Sequence, residues 1–337
     1  MEALAFAPPE SRAGGAGRER KRFNSGTEYM GTMMGALPDS LGAPDLSGTV
    51  VLLTGAARGL GRSMALTLAD HGAHLMLTAT DEAALEETAR RCRVAAATVA
   101  ADLDDPAGPA RVAEAVRDAF GHVDVVINNA GIGMSSHWPD FWTNPVPFWS
   151  VERARYERYL RVNFLAGLDL ARLTVPSMIE RGWGRIINVT TSLSTMLAGG
   201  LAPYASSKAA AEAMTAVQAA DLAGTGVTAN VVTTGGSAAT RLIPESVPRE
   251  TLLPDTVLDQ PVLWLASRLS DGVTARRFIG ATWDGSLPLA EAAAANAAPV
   301  AWTGYGAEVS GPAPPRGRPA GITGDQTGAT PPARRQS

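Results

Sequence analysis

The stretch that decides the fold is "TVVLLTGAARGLG", residues 49–61 of a chain of 337 residues. Its first half is an apolar, β-branched run, which is the composition of a strand buried on both faces. Gly55, Gly59 and Gly61 follow, and from there the sequence takes on the period of a helix. A strand, a glycine turn and a helix in this order favour a site that binds the phosphates of a dinucleotide.

The three glycines have separate uses in such a turn. One permits the tight bend, one lets backbone amides approach a pyrophosphate, and one lets the helix pack closely on the strand. Three residues lie between Gly55 and Gly59, where the standard fingerprint has a single residue, and ordinary turns could also explain a glycine cluster. The helix that follows and the second strand about 20 residues on favour the dinucleotide site.

Short β-branched runs alternate with helix-period segments along the rest of the chain. This alternation predicts an α/β fold, a single Rossmann-type domain with a doubly wound parallel sheet, over residues 46–285. Residues 1–45 and 286–337 are rich in Gly, Pro and Ala and are predicted to be mostly disordered tails, with an undecided Ala-rich stretch just after 285. The strands predicted after the first one lie in residues 73–79, 96–102, 123–131, 184–191, 226–232 and 276–283.

Composition excludes several classes of function. The net charge of −4 and the pI of about 5.7 argue against a nucleic-acid partner. The single cysteine, Cys92, excludes an intramolecular disulfide and fits a reducing compartment, and the four histidines lack metal-ligand spacing. We find no apolar run long enough to span a bilayer and no signal peptide, so the expected location is the cytoplasm.

The end of the second predicted strand bears on the choice of cofactor. An acid there would bind the ribose 2′-hydroxyl of NAD and repel the 2′-phosphate of NADP. Ala79 and Thr80 occupy that place, Asp81 comes slightly late, and Arg58 in the glycine turn could neutralise a phosphate. The sequence therefore favours NADP over NAD, which stays the alternative. Asp102 could contact the adenine, although it could equally be an acid that starts a helix.

Tyr204 and Lys208, in "YASSK", share one face of a predicted helix because they are four residues apart. An ordinary tyrosine, with a pKa near 10, is a poor base at neutral pH, and a nearby ammonium would lower that pKa. The chain has 5 Tyr and 2 Lys, the other lysine being Lys21 in the N-terminal tail. The alternative is a tyrosine packed in the core beside an exposed lysine. Because both residue types are rare in this chain, their occurrence four residues apart favours a catalytic pair.

Four motifs together give the chain a family resemblance. "TGAARGLG", "NNAG" (128–131), "YASSK" and the asparagine of "LRVNFLAG" resemble the short-chain dehydrogenases/reductases, in their single-domain branch. The resemblance covers residues 46–285. It implies that Tyr204 is the catalytic acid/base with Lys208 as its partner, and that Asn163 holds a water of the proton relay. It also implies a cofactor site that adds Leu60, Leu103, Asn129, Ala130, Gly131 and Thr240, together with Tyr204 and Lys208, to the residues named above.

Two positions depart from the family pattern. The serine that orients the substrate carbonyl normally precedes the tyrosine by about thirteen residues, and here Thr191 has that spacing while Ser192 comes one residue later. Either hydroxyl could serve, and we favour Ser192 slightly for its unbranched side chain. Thr234 stands where the family has a proline, so the loop near the nicotinamide is expected to be less rigid.

The resemblance predicts reversible hydride transfer between a nicotinamide and a secondary alcohol or ketone. A catalytically silent nucleotide-binding regulator or structural subunit is the alternative. The aromatic residues in 134–150 could line the substrate site, or could equally pack that loop or a subunit contact. Residues 240–255 resemble a substrate lid. The expected partners are a small-molecule substrate and further copies of the chain, as a homodimer or homotetramer.

Overall fold

The computed structural model describes residues 44–302, and the rest of the predicted tails lies outside the described residues. The strands are β1 (Val50–Thr54), β2 (His74–Ala79), β3 (Ala96–Ala100), β4 (Val125–Asn128), β5 (Gly184–Val189), β6 (Val227–Thr233), β7 (Arg276–Ile279) and β8 (Ala298–Pro299). The helices are α1 (Gly59–Asp70), α2 (Glu82–Arg91), α3 (Gly108–Phe120), α4 (Arg153–Leu160), α5 (Ala166–Arg181), α6 (Leu193–Met196), α7 (Ala202–Asp221), α8 (Asp259–Ala266) and α9 (Leu289–Asn296).

The strands form one sheet in the order β3-β2-β1-β4-β5-β6-β7-β8. All neighbours are parallel except β7 and β8, which pair antiparallel. The chain runs outward from β1 to β3 and then crosses back to β4, so the strand order reverses between β1 and β4. Ligands bind at such a switch point, outside the carboxyl ends of the strands. The predicted doubly wound fold is confirmed.

Alternate residues of each central strand supply the two hydrophobic cores. On one face, Val51 and Leu53 pack with residues of α1 and α8. On the other, Val50 and Leu52 pack with residues of α3 and α5. Every residue of β1, β5 and β6 is buried, because helices cover both faces of the sheet.

The structure corrects the predicted domain boundary at residue 285. Ordered elements continue past it through α9 and β8, and Ala292, Ala293 and Val300 are buried. The Ala-rich stretch therefore forms a short helix that packs on the domain, and the Asn296 side chain bonds the backbone of Ile279 at 2.7 and 3.0 Å. Its small side chains gave no clear apolar stripe in the sequence, which is why the boundary fell too early.

Residues 151–181, which have a helical pattern in the sequence, do not form one continuous helix. They contain α4, a π-helical segment at Arg161–Leu165 and α5. π-Helical turns are rare in proteins, and those that occur are often found at functional sites. Within residues 44–302, no helix has the length and apolar character needed to cross a membrane.

Candidate active site

The glycine turn between β1 and α1 is built for close backbone approach. Gly55 has a φ of +69° and Gly59 one of +49°, which favour glycine. A Cβ on Gly61 would lie 2.1 Å from the carbonyl oxygen of Gly55, so no larger residue fits there. The residues present therefore fit a pyrophosphate, with α1 beginning at the turn.

The segment after β4 supports that turn. The Asn129 side chain donates to the carbonyl oxygens of Thr54 and Gly55 at 2.9 and 3.2 Å, and the Thr54 hydroxyl accepts from the backbone amides of Asn129 and Ala130. Asn128 turns the other way and donates to Asn188 on the neighbouring strand at 2.8 Å. The glycine turn and the end of β4 are thereby fixed to each other.

A first cavity of about 850 Å³ opens at this point. Every residue that the sequence assigned to the cofactor lines it, apart from Tyr204 and Lys208. Those residues are Gly55, Arg58, Gly59, Leu60, Gly61, Thr80, Asp102, Leu103, Asn129, Ala130, Gly131 and Thr240. Its size and its position at the switch point suit a dinucleotide.

The end of β2 in this cavity lacks a free acid. Thr80 and Arg58 line the cavity, whereas Asp81 caps α2 by accepting a hydrogen bond from Ala84 N at 3.1 Å. Asp102 lines the cavity and also closes a local turn by accepting from Asp104 N at 2.9 Å. It therefore does not cap α3, which begins at Gly108.

A second cavity of about 440 Å³ adjoins the first, and the two share Leu60, Asn129, Gly131, Gly133, Thr240 and Leu242. The second cavity is lined by four of the five predicted catalytic residues, Thr191, Ser192, Tyr204 and Lys208. Thr191 and Ser192 follow β5, and Tyr204 and Lys208 lie in the first turns of α7. The structure thus brings together residues from two elements that the sequence could only place in order.

Lys208 is buried, and its ammonium donates to the carbonyl oxygen of Val189 at 2.9 Å. Burial lowers the pKa of Lys208 to about 8, because a charged group is less stable away from water. A Cβ on Gly131 would approach the ammonium to 3.4 Å, so a glycine there leaves room at the boundary between the two cavities.

The Tyr204 phenol differs from the expectation that its pKa is lowered. Burial raises the pKa of Tyr204, and a hydrogen bond with the Thr191 side chain opposes that rise. The reason is local: the Lys208 ammonium hydrogen-bonds Val189, so in this structure the partner of the phenol is Thr191. This contact favours Thr191 over Ser192, our preference from the sequence, as the hydroxyl beside the acid/base. Ser192 lines the same cavity at the start of α6.

Asn163 sits in the π-helical segment and does not line the second cavity. Its side chain accepts from Ile132 N at 2.8 Å and donates to Ile132 O at 3.0 Å. It also donates to the Ser207 hydroxyl at 3.0 Å. Asn163 therefore connects the irregular segment that follows β4 to α7, where Tyr204 and Lys208 lie.

The aromatic residues of 134–150 lie in three different places: in the second cavity, within the loop itself and in a separate groove. Phe141 and Trp142 line the second cavity. Trp138 packs the loop against Tyr159 and His137, with ring centroids 6.5 and 5.7 Å apart. Phe148 and Trp149 are 65% and 75% exposed and line a separate groove.

The loops after β6 complete both cavities. Thr234 lines the second cavity, and its hydroxyl closes the turn by donating to Gly236 O at 2.6 Å, a local bond that a proline could not make. Leu242 and Ile243, in the predicted lid, line the second cavity as well.

Sequence reasoning missed three arginines that line the first cavity, Arg158, Arg241 and Arg249. Nothing in their spacing marks them, because only the fold brings them to the cleft. It also missed Ser194 and Thr195, which line the second cavity beside Ser192. These two lie in the "TTSLST" run of hydroxyl residues, which could have signalled them.

Comparison with known proteins agrees with this geometry. The 1-deoxy-11-beta-hydroxypentalenate dehydrogenase of Streptomyces exfoliatus is 38% identical over 192 residues, which are 55% of this chain and 66% of that protein. The 3-oxoacyl-(acyl-carrier-protein) reductase FabG of Escherichia coli is 31% identical over 191 residues, 57% of this chain and 74% of that one. A metagenomic short-chain oxidoreductase in complex with NADP superposes with a TM-score of 0.56 at 27% identity, over 66% of this chain and 92% of its own.

The fold and the glycine turn define a Rossmann-type nucleotide-binding domain. The family profile described as short chain dehydrogenase matches residues 49–250, more than half of the chain. The protein belongs to the short-chain dehydrogenase/reductase family.

Proposed function

We propose that the protein is an NADP-dependent short-chain dehydrogenase/reductase that interconverts a secondary alcohol and a ketone, with Tyr204 as the acid/base. The observation that carries this proposal is the junction of the two cavities. Tyr204, Thr191 and Lys208 line the second cavity, which shares residues with the glycine-lined first cavity. A substrate in the second cavity would therefore meet the acid/base where a cofactor in the first cavity ends.

The chain's own residues divide the work. The turn from Gly55 to Gly61 would hold the pyrophosphate with backbone amides, and a bound nicotinamide would supply or accept the hydride. In the reductive direction the Tyr204 hydroxyl gives its proton to the carbonyl oxygen, and the Thr191 hydroxyl donates a hydrogen bond to that same oxygen. Lys208 lines the same cavity, and an ammonium there would favour the phenolate left on Tyr204 once its proton has been given up.

The preference for NADP rests on the end of β2. Asp81 is engaged as the cap of α2, and Arg58 lines the first cavity together with Thr80. A guanidinium recognises a phosphate well, and the residues at the end of β2 that line the cavity, Thr78, Ala79 and Thr80, carry no carboxylate to repel one.

The second cavity also limits the substrate. Lys208 is the one charged side chain among the described residues that line it, and Phe141, Trp142, Leu201, Leu242 and Ile243 give it apolar walls. An apolar carbonyl compound without a carboxylate or phosphate near the reacting carbon fits such walls. We propose a screen of NADPH oxidation over cyclic ketones, trans-1-decalone among them, with sugars and acyl thioesters as the polar comparison.

The decisive experiment is Tyr204→Phe. We expect turnover to fall by about 10²- to 10⁴-fold, because the substitution removes the acid/base. NADPH binding, followed by fluorescence, should persist, and Tyr156→Phe is the matched control on α4. If Tyr204→Phe kept its activity, the assignment would be wrong. If the wild type bound NADPH and reduced none of the ketones, a nucleotide-binding regulator would fit better.

A further inference from the structure

A charge pair lies behind the active site with almost no exposure to water. Glu212 is on α7, one turn beyond Lys208, and Arg277 is on β7. The guanidinium Nη1 is 2.6 Å from the carboxylate Oε2, and the side chains are 4% and 0% exposed. Burying two charges is costly unless hydrogen bonds satisfy them, and a buried pair often adds little net stability. The proposed reaction does not use this pair directly.

The pair holds the end of β5, where the catalytic threonine lies. The Thr190 hydroxyl donates to the Glu212 Oε2 at 2.7 Å. Arg277 Nη2 donates to the carbonyl oxygen of Thr191 at 2.5 Å. Two consecutive residues are thus held by one ion pair, and the second of them, Thr191, lines the second cavity together with Tyr204.

The third contact of the pair comes from the C-terminal part of the domain. The backbone amide of Ala301 donates to the remaining carboxylate oxygen, Oε1 of Glu212, at 3.1 Å. Ala301 has a φ of +57°, an unusual backbone conformation for an alanine. β8 brings Ala301 to this place by pairing Ala298 with Arg277. Both carboxylate oxygens of Glu212 therefore accept hydrogen bonds. The guanidinium of Arg277 donates both to this carboxylate and to the carbonyl oxygen of Thr191.

We propose that Arg277, held by Glu212, is a positioning residue that fixes the Thr191 hydroxyl against Tyr204. This inference rests on the proposed function. A planar guanidinium is suited to the task because it presents several N–H groups in a fixed fork, so it can bind a carboxylate and a carbonyl at once. Neither residue lines the second cavity, so the pair reaches the reaction through Thr190 and Thr191, which do line it, and Thr191 is the one proposed to contact the reacting oxygen.

The first test is Arg277→Lys. A lysine keeps the positive charge beside Glu212 but has no planar fork, so the Thr191 carbonyl loses its donor. We expect kcat for the fastest ketone of the screen to fall by about 10- to 100-fold, because small misplacements of catalytic groups have effects of that size. The Kd of NADPH should stay unchanged. Full activity of Arg277→Lys would overturn the proposal.

A double-mutant cycle separates positioning from general damage. If Arg277 acts through Thr191, Arg277→Lys should slow the Thr191→Val variant no further. In the Ser192→Ala variant, by contrast, Arg277→Lys should lower kcat by its full factor, because Ser192 is not held by the ion pair. Multiplicative effects with Thr191→Val would contradict the inference.

The phenol supplies a readout that needs no substrate. The ultraviolet absorbance of the phenolate, taken as wild type minus Tyr204→Phe in the NADP complex, reports the pKa of Tyr204. Since the Thr191 hydrogen bond lowers that pKa, Arg277→Lys should raise it. An unchanged pKa would leave Arg277 without the proposed role.

Arg185 provides the matched control. It is a buried arginine at the opposite end of β5 and pairs with Asp271. Arg185→Lys should alter the melting temperature without changing kcat or the phenol pKa. Equal losses of kcat in Arg185→Lys and Arg277→Lys would show that any buried arginine has this effect, and would overturn the proposal.

The double substitution Glu212→Met and Arg277→Met tests the pair without leaving an unpaired buried charge that could prevent folding. Replacing a buried pair by apolar residues is often neutral or stabilising, so this chain should fold and bind NADPH. It should still lose kcat. If Tyr204→Phe were active, the proposed function itself would fail. If Tyr204→Phe were inactive while the Met/Met chain kept its full rate, only the present inference would fail.

Discussion

At the scale of single residues, substitutions can distinguish the roles of the Thr191 and Ser192 hydroxyls. Thr191→Val keeps the shape of the side chain and removes its hydroxyl, so we expect kcat to fall by about 10²- to 10³-fold, the usual cost of one donor to a developing oxyanion. Ser192→Ala, measured with the same ketone, should have a much smaller effect. A larger loss with Ser192→Ala would restore Ser192 to the role that the sequence suggested.

The buried lysine sets a direction for pH dependence. Ketone reduction needs the proton of Tyr204 and, by our proposal, the charge of Lys208. Burial raises the pKa of Tyr204 and lowers that of Lys208 to about 8, so Lys208 loses its proton first as pH rises. We expect kcat/KM for the ketone to be constant at lower pH and to fall above pH about 8. A rate that rises through that range would contradict this order of titration.

Arg58 allows a direct test of cofactor choice. Arg58→Ala removes a guanidinium that would contact only the 2′-phosphate, so the Kd of NADPH should rise about tenfold or more while that of NADH barely changes. Titration of both cofactors against cofactor fluorescence measures the ratio. Equal weakening of the two would place Arg58 at the pyrophosphate instead.

The sequence anticipated these residues unequally. Tyr204, Lys208 and the glycines could be found because each is unusual in its own local context. Arg277 and Glu212 could not be paired from the sequence, since 64 residues, β6 and α8 among them, lie between the two and neither residue stands out in its local context. The pKa of Tyr204 also escaped prediction, because burial and the direction of the lysine side chain are tertiary facts.

At the scale of elements, the packing of α8 on α1 contains a titratable group. Asp259, in the first turn of α8, accepts from the hydroxyls of Ser63 and Thr67 on α1 at 2.7 and 3.0 Å. Burial raises the pKa of Asp259 to about 6. The folded protein therefore holds a proton here more tightly than the unfolded chain does.

This linkage has a definite sign. The stability that Asp259 contributes is fully present below its unfolded pKa of about 3.8 and is lost as pH rises through about 6. Asp259→Asn should therefore have a higher melting temperature than wild type at pH about 7, and the gap should close near pH about 4. Differential scanning fluorimetry across that range measures the gap. A constant difference would show that Asp259 titrates at its ordinary value.

Strand positions were predictable and helix interruptions were not. Buried parallel strands are continuous apolar runs, so six strands could be located after β1 from composition. The π-helical segment at Arg161–Leu165 has no such signal, because a single extra residue within a helix has no distinctive composition. This segment contains Asn163, whose side chain hydrogen-bonds the backbone of Ile132.

At the scale of the whole molecule, apolar side chains on α5 and α7 face outward. Leu173, Ile179 and Val217 are 44%, 41% and 49% exposed. We expect these helices to form the contact between copies of the chain. Val217→Glu combined with Leu173→Glu should shift the protein to a smaller species in size-exclusion chromatography. Leu287→Glu, at a site 38% exposed elsewhere, is the control, and a matching shift there would argue against the helices.

The short antiparallel strand β8 has a consequence for how the protein can be shortened. β8 occupies the outer hydrogen-bonding groups of β7, next to Arg277 and Phe278. A chain that stops at residue 285, where the sequence first suggested an end, would leave that edge open and would also lose the amide that satisfies Glu212. Unprotected edges recruit strands from other molecules. Such a fragment should aggregate during refolding, whereas a chain extended to residue 302 should stay dispersed.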